Sequence, residues 1–138
     1  MISPSITIRN LIVAQGLMTL PTAAGTWPVY RENLPDGPGI ANNVGCVFDT
    51  PGTKDGRYMR TGKVVEHYGV QLRIESDDGT GWAKANDVAV ALDALTNEVV
   101  GAYTVNNISR SGPVISLGKK EGTTRTSVHV VNFMATIT

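Results

Sequence analysis

One stretch of the chain decides the fold: residues 64–75, which read VVEHYGVQLRIE. Apolar and polar side chains alternate along it. One predicted face carries Val64, Tyr68, Val70, Leu72 and Ile74, with Glu66 as the exception, and the other carries Val65, His67, Gly69, Gln71, Arg73 and Glu75. Successive side chains of a β-strand point to opposite faces of its sheet. The pattern therefore predicts a strand with one face in a core and one face polar, which is typical of an antiparallel sheet.

Two helices are predicted, one before and one after this strand. The first spans residues 4–16, because Ser3-Pro4 is a helix-start signal and Gly16 is a stop signal. The second runs from Trp82 to Val99, behind the turn-forming segment 76–81. Its apolar stripe consists of Ala85, Val88, Ala89, Leu92, Leu95 and Val99.

Shorter strands and loops complete the predicted order. Strands are predicted at Thr26–Tyr30, Val44–Asp49, Tyr103–Ser109, Val114–Leu117 and Arg125–Thr138. Turn-rich segments predict loops at 33–43 and 51–56 and a polar turn at 118–124. Because helices do not alternate regularly with strands, we expect an α+β fold, a mostly antiparallel sheet flanked by two helices. The chain of 138 residues has the size of a single domain, spanning residues 1–138.

The composition favours self-association over nucleic-acid binding. Charged residues make up only 17% of the chain, and the formal net charge is zero. A dedicated duplex-DNA binder needs a basic face, so that class is disfavoured, while copies of this chain repel one another little. The single cysteine, Cys46, lies in the apolar run 44–48, where we interpret it as a buried small side chain. Without a signal peptide or an apolar run of membrane-spanning length, we expect synthesis and assembly in the cytoplasm.

No motif predicts catalysis, a cofactor or a metal. Segment 112–120 contains two glycines and a Lys-Lys pair, but five residues separate the glycines where a phosphate loop has four. His67 and His129 lie in predicted strands without a Cys, Asp or Glu cluster of metal-ligand spacing. Asp77-Asp78 precedes a helix, where carboxylates cap free N–H groups. We therefore do not expect an enzyme.

The predicted last strand is apolar on both faces. One face carries His129, Val131, Phe133, Ala135 and Ile137, and the other carries Val128, Val130, Asn132, Met134 and Thr136. Both faces should therefore be covered, and two helices are few for both sides of such a sheet. A neighbouring copy can supply the missing cover by packing on a face or by extending the sheet at an edge, and a wholly internal core is the alternative.

The C-terminal segments 111–121 and 125–133 resemble the end of the tail terminator (minor capsid, or tail-completion) proteins of long-tailed phages. The N-terminal helix, the loop 51–56, the strand 64–75 and the helix from Trp82 follow in the same order, so the resemblance covers nearly the whole chain. The loop 33–43 has no counterpart that we can match, and its role stays open.

The resemblance implies a fold, a place and a set of partners. Such proteins form a homo-hexameric ring on the head-proximal end of the tail tube, stop tube polymerisation, and offer the surface to which the filled head attaches. The implied partners are further copies of the chain, the major tail tube protein and the head–tail connector protein. Genomic DNA passes through the lumen without sequence-specific contact. The implied location is the neck or tail of the virion, with no membrane.

Candidate inter-subunit or lumen contacts are basic and polar residues in two loops and on the polar face of the strand 64–75. Ordinary solvated charge is the alternative for each of them. The candidates are Lys54, Arg57, Arg60, His67, Arg73, Lys119, Lys120 and Arg125.

Two other classes of function compete with the terminator interpretation. A head–tail joining or tail-completion protein one ring away shares size, symmetry and general fold with a terminator, so the sequence does not separate the two. A small cytoplasmic ligand-binding domain predicts a monomer or dimer with an apolar pocket and a few convergent polar groups. A hydrolase would need a nucleophile and a base in contact, and no arrangement in the sequence indicates one.

Overall fold

The structure is a computed structural model that describes residues 3–22, 25–33, 43–57, 64–77, 80–119 and 127–138. Within these residues two helices accompany seven strands of one curled, mostly antiparallel sheet, which confirms the predicted α+β single-domain fold. The elements in chain order are α1 (Pro4–Ala14), β1 (Val29–Arg31), β2 (Val44–Arg57), β3 (Val64–Ser76), α2 (Gly81–Asp93), β4 (Thr96–Val100), β5 (Tyr103–Arg110), β6 (Ile115–Lys119) and β7 (Ser127–Ile137).

The last strand, β7, lies in the middle of the sheet. The strand order is β1-β2-β3-β7-β5-β4, and β6 also pairs with β7. β5 lies opposite the second half of β7 and β6 opposite its first half, so β5 and β6 follow each other along the same side of β7. Between them the backbone N–H of Ser111 donates to the carbonyl oxygen of Asn132, at 2.8 Å. Only the β1–β2 pair is parallel among the described strand pairs.

Both helices pack on the same face of the sheet, which we call the helical face. In the β3–β7 register Val70 lies opposite Phe133 and Leu72 opposite Val131. These side chains join the apolar stripes of α1 and α2 in one buried cluster. The core members on the sheet are Val47, Val70, Leu72, Ile74, Val105, Ile108, Val131, Phe133, Ala135 and Ile137. The predicted inward face of residues 64–75 is therefore confirmed from Tyr68 to Ile74.

The prediction of a loop at residues 51–56 is wrong, because these residues continue β2 to Arg57. Two register shifts against β3 accommodate its turn-forming residues as β-bulges. Gly52 is required there, since a Cβ at this position would lie 2.0 Å from the carbonyl oxygen of His67. Glycine thus marks a close backbone approach inside a strand and not a loop.

The predicted helix from Trp82 to Val99 is too long. α2 ends at Asp93, and the following residues form β4, which pairs with β5 across a turn at Gly101 (φ +60°). The apolar stripe continues past the true helix end because Val99 fits the helical repeat. Strand pairing with β5 overrides that local pattern.

The helix caps also differ from the sequence predictions. Ser3 is the N-cap residue of α1 but makes no capping side-chain hydrogen bond; instead Asp49 of β2 accepts from the backbone N–H of Ser5 at 2.8 Å. Thr80 occupies the N-cap position of α2 in place of the expected aspartates, of which Asp77 is exposed and Asp78 lies outside the described residues. α1 ends two residues before the predicted stop, at Ala14.

The remaining strands are close to their predicted positions. The predicted strand Thr26–Tyr30 is observed as Val29–Arg31, and its Pro28 forms an isolated parallel bridge with Thr19. The first two residues predicted for the last strand, 125–126, lie outside the described residues, as do 120–124 of the predicted turn and 34–42 of the predicted loop.

Candidate inter-subunit surface

The second face of the sheet carries no helix among the described elements, and we call it the helix-free face. It is the side of β7 that bears Asn132, and its neighbours on β3 and β2 are placed by the strand register. The face consists of Val44, Cys46, Phe48, His67, Gln71, Arg73, Glu75, Val128, Val130, Asn132, Met134 and Thr136.

Polar side chains pair across the centre of this face. Gln71 Nε2 donates to Asn132 Oδ1 at 3.1 Å, and His67 Nδ1 shares a hydrogen bond with Thr136 Oγ1 at 2.8 Å. All four side chains are half-buried. The central part of the face is therefore an ordered polar surface and not a row of freely moving side chains.

Arg73 has a partner within the chain. Its Nε lies 2.9 Å from Glu75 Oε2, and Glu75 is 1% exposed while Arg73 is 30% exposed. A buried carboxylate requires a compensating charge or hydrogen bonds. Arg73, predicted from the sequence as a contact to other subunits, thus has an internal role as the counter-ion of Glu75.

The rest of the helix-free face is apolar. Val44 and Cys46 are fully buried, Val128 and Val130 nearly so, and Met134 is half-buried. Burial first, and then the charge of Glu75, raises the pKa of the Cys46 thiol to about 11. The thiol stays protonated at neutral pH, which confirms the interpretation of Cys46 as a small buried side chain.

The two histidines lie on opposite faces of the sheet, as the β3–β7 register shows. His129 lies on the helical face beside the first residue of α2, where a Cβ on Gly81 would be 3.0 Å from His129 Nδ1 and 2.8 Å from Ser76 Oγ. Both polar atoms are buried and have no hydrogen-bond partner among the described residues. Burial lowers the pKa of His129.

Surface cavities lie at two places among the described residues. Two adjoining ones, of about 310 and 210 Å³, lie at the β2 bulge and share Gly52 and Tyr68 as lining residues. A third, of about 460 Å³, lies between Trp27 and the first turns of α2, where Lys84 Nζ stands 5.7 Å from the Trp27 ring centroid. Within the described ranges no three His, Cys, Asp or Glu side chains are grouped to hold a metal ion. No helix found there is long and apolar enough to cross a membrane.

The other predicted contacts lie at the margins of the sheet. Lys54 and Arg57 belong to a two-stranded arm, residues 54–57 and 64–66, in which β2 and β3 continue to pair past the last β3–β7 partners in the register. Lys119 is the last residue of β6. The remaining three predicted contacts lie outside the described residues: Arg60, Lys120 and Arg125.

The exposed apolar residues at the sheet edges were not predicted from the sequence. Ile115 and Leu117 on β6 are 48% and 54% exposed, and Val99 on β4 is 73% exposed. The alternation of Ile115 and Leu117 was visible in the sequence, but their exposure depends on which strands lie beside them. That information comes only from the sheet topology.

Comparison with known proteins does not assign the chain to a family. No protein-family model matches the chain, and no curated protein sequence matches it significantly.

Proposed function

We propose that this chain is a ring-forming tail terminator of a long-tailed phage. In this role copies assemble into a homo-hexameric ring on the head-proximal end of the tail tube and form the interface to the head. The chain acts as a structural virion protein and not as an enzyme.

The observation that supports this proposal best is the one-sided packing of the sheet. Both helices cover the helical face, and the helix-free face presents ordered, half-buried polar pairs beside apolar residues such as Met134. Val44, Cys46, Val128 and Val130 of this face are buried within the single chain, so the accessible part is the half-exposed area around Asn132 and Met134. A mixed polar and apolar area of this kind is common in protein–protein interfaces. A ring needs two different patches on each subunit, and the helix-free face and the two-stranded arm are the pair that we propose.

The proposed partners follow from the position of the ring. One rim contacts the major tail tube protein, the other contacts the head–tail connector protein, and genomic DNA passes through the lumen. Lys54, Arg57, Lys119 and the three basic residues outside the described ranges are the proposed contacts to the lumen or to acidic patches. A zero net charge suits passage of DNA without sequence-specific binding.

The test uses the purified full chain with purified tail tubes that lack their terminal ring. Native mass spectrometry and negative-stain electron microscopy should show rings of about six copies, alone or on one end of each tube. A chain that stays monomeric and never binds a tube end would overturn the proposal. Rings that bind the connector but not the tube would assign the chain to the neighbouring joining ring instead.

Lys120→Ala is the matched control for this experiment. The removal of one charge from the predicted turn should leave the rings themselves intact.

A further inference from the structure

One edge of the sheet has a step. β4 lies beside β5, with Thr96 opposite Asn107 and Val100 opposite Tyr103. β6 continues the line of β5 along β7, but no described strand lies on its outer side. Among the described strands the outer edge is therefore one strand further out at β4 than at β6, which leaves a slot beside β6 that no described strand fills.

At the boundary between β5 and β6, Asp93 of α2 occupies the outer edge of the sheet. The backbone N–H of Arg110, at the end of β5, donates to Asp93 Oδ1 at 2.9 Å, and Arg110 Nε lies 3.1 Å from Asp93 Oδ2. The slot is thus limited to β6 itself. A strand that fills it must have about the length of β6.

β4 has the properties that the slot requires. Both strands contain five residues. Each exposes apolar side chains, Val99 on β4 and Ile115 and Leu117 on β6. Their only charged residues are of opposite sign, Glu98 on β4 and Lys119 on β6. Unpaired strand edges with exposed apolar side chains are templates for pairing with another chain.

The opposite edge of the sheet is less available. Thr19 lies along the outer side of β1 and forms two backbone hydrogen bonds there. Its N–H donates to the carbonyl oxygen of Trp27 at 3.1 Å, and its carbonyl oxygen accepts from the N–H of Val29 at 2.8 Å. Among the described strands, β4, β6 and the part of β2 beyond residues 45–47 have no strand on their outer side.

We propose that the stepped edge binds a second copy of this chain through a two-fold axis perpendicular to the sheet, near Arg110. This rotation brings β4 of the second copy into the slot beside β6 of the first. It also brings β4 of the first copy beside β6 of the second, so both slots are filled at once. Because β5 and β6 run in the same direction and β4 runs against β5, each new β4–β6 pair is parallel.

The dimer goes beyond the proposed ring. Of the described ring contacts proposed above, it shares only Lys119 at the end of β6, and its two-fold symmetry closes the edge after two copies. The two open strand edges are thereby protected from open-ended pairing in the free protein. Whether the chain binds tail tubes has no bearing on this contact.

Cross-linking tests the contact between the strands. The double variant Glu98→Cys/Leu117→Cys, treated with a short bismaleimide, should run mainly as a covalent dimer in denaturing gels. The buried thiol of Cys46 should not react, since its pKa is about 11. Each single variant should stay monomeric on the gel. A ladder of higher species would indicate an open or ring-forming contact, cross-linking of Leu117→Cys alone would indicate β6–β6 pairing, and either result would overturn the proposal.

Sedimentation of uncross-linked protein gives the second readout. Leu117→Lys should weaken dimerisation by about tenfold or more, because a charged side chain at a strand edge opposes pairing. Val90→Lys is the matched control, since Val90 on α2 is 53% exposed against 54% for Leu117, and it should dimerise like the wild type. A wild-type chain without dimers at micromolar concentrations, or equal dimerisation of both variants, would refute the two-fold contact.

Discussion

The two faces of β7 have similar sequences but different surroundings. The residues facing α1 and α2, such as Phe133 and Val131, are fully buried. On the other face Val128 and Val130 are also buried, but Asn132, Met134 and Thr136 are only half-buried. An apolar pattern on both faces of a strand therefore predicts that both faces are covered, but it does not predict which part of the protein covers each face. Four experiments, in order of decreasing expected effect, test how far the faces differ.

The largest effect is expected for Phe133→Asp. The Phe133 side chain lies in the core opposite Val70, and the loss of a buried Phe side chain alone costs about 3–5 kcal/mol. An added buried carboxylate raises this cost further, against a total stability of about 5–15 kcal/mol for a typical domain. Circular dichroism should therefore show an unfolded chain.

Met134→Asp is the neighbouring control on the helix-free face. It should cost about 1–2 kcal/mol and leave the chain folded, because Met134 is only half-buried. Equal stability of the two variants would show that the assignment of faces along β7 is wrong.

The next effect concerns the counter-ion of a buried carboxylate. Arg73→Ala should lower the free energy of unfolding by about 3 kcal/mol, because it removes an ion pair that compensates the burial of the Glu75 carboxylate. Arg31→Ala removes the exposed pair Arg31–Glu32 and should cost less than about 0.5 kcal/mol. Urea unfolding of the two variants measures the difference. Similar losses of stability in the two variants would mean that the Arg73–Glu75 ion pair contributes no more than an ordinary surface ion pair.

A pH effect should distinguish the two histidines. Burial lowers the pKa of His129 in the folded chain below its ordinary value of 6.5. The unfolded chain then binds more protons, so stability is complete above about pH 6.5 and falls as the pH drops from there through the folded-state pKa. His129→Gln should remove this part of the pH dependence, while His67→Gln should retain it. Urea unfolding at a series of pH values is the measurement, and an unchanged profile in His129→Gln would contradict the prediction.

The smallest effect is expected at the centre of the helix-free face. Gln71→Leu should cost about 1 kcal/mol, because it leaves Asn132 Oδ1 without its donor. The double variant Gln71→Leu/Asn132→Leu should regain most of this loss, since both polar partners are then absent. A double-mutant cycle with a coupling energy near zero would show that the hydrogen bond contributes nothing to stability.

The sequence was informative wherever a local pattern decides the structure. The alternation in residues 64–75 predicted β3 to within one residue, and it placed His67 and Arg73 together on the polar face. Their partners were not predictable in this way. Thr136 reaches His67 only through the β3–β7 register, which joins residues far apart in the chain.

The errors arose where long-range pairing overrides local preference. Val99 fits a helical repeat yet belongs to β4, because β5 offers a hairpin partner. Gly52 is typical of a loop yet lies in β2, because the bulged strand passes close to His67. The exposure of Leu117 also depends on topology, since β4 covers β5 and not β6. Each case requires knowledge of neighbouring strands that no short window of sequence contains.

The central position of β7 has a consequence for the order of folding. Among the described strands, β1, β2 and β3 form one part of the sheet, β4 and β5 form another, and β7 pairs with both parts. β7 is also the last of these strands to be synthesised. Long-range strand pairing closes slowly because it must first overcome the entropy of loop closure. During translation the two parts can therefore form early as separate hairpins, but they stay unjoined, with open edges, until residues 127–137 have left the ribosome.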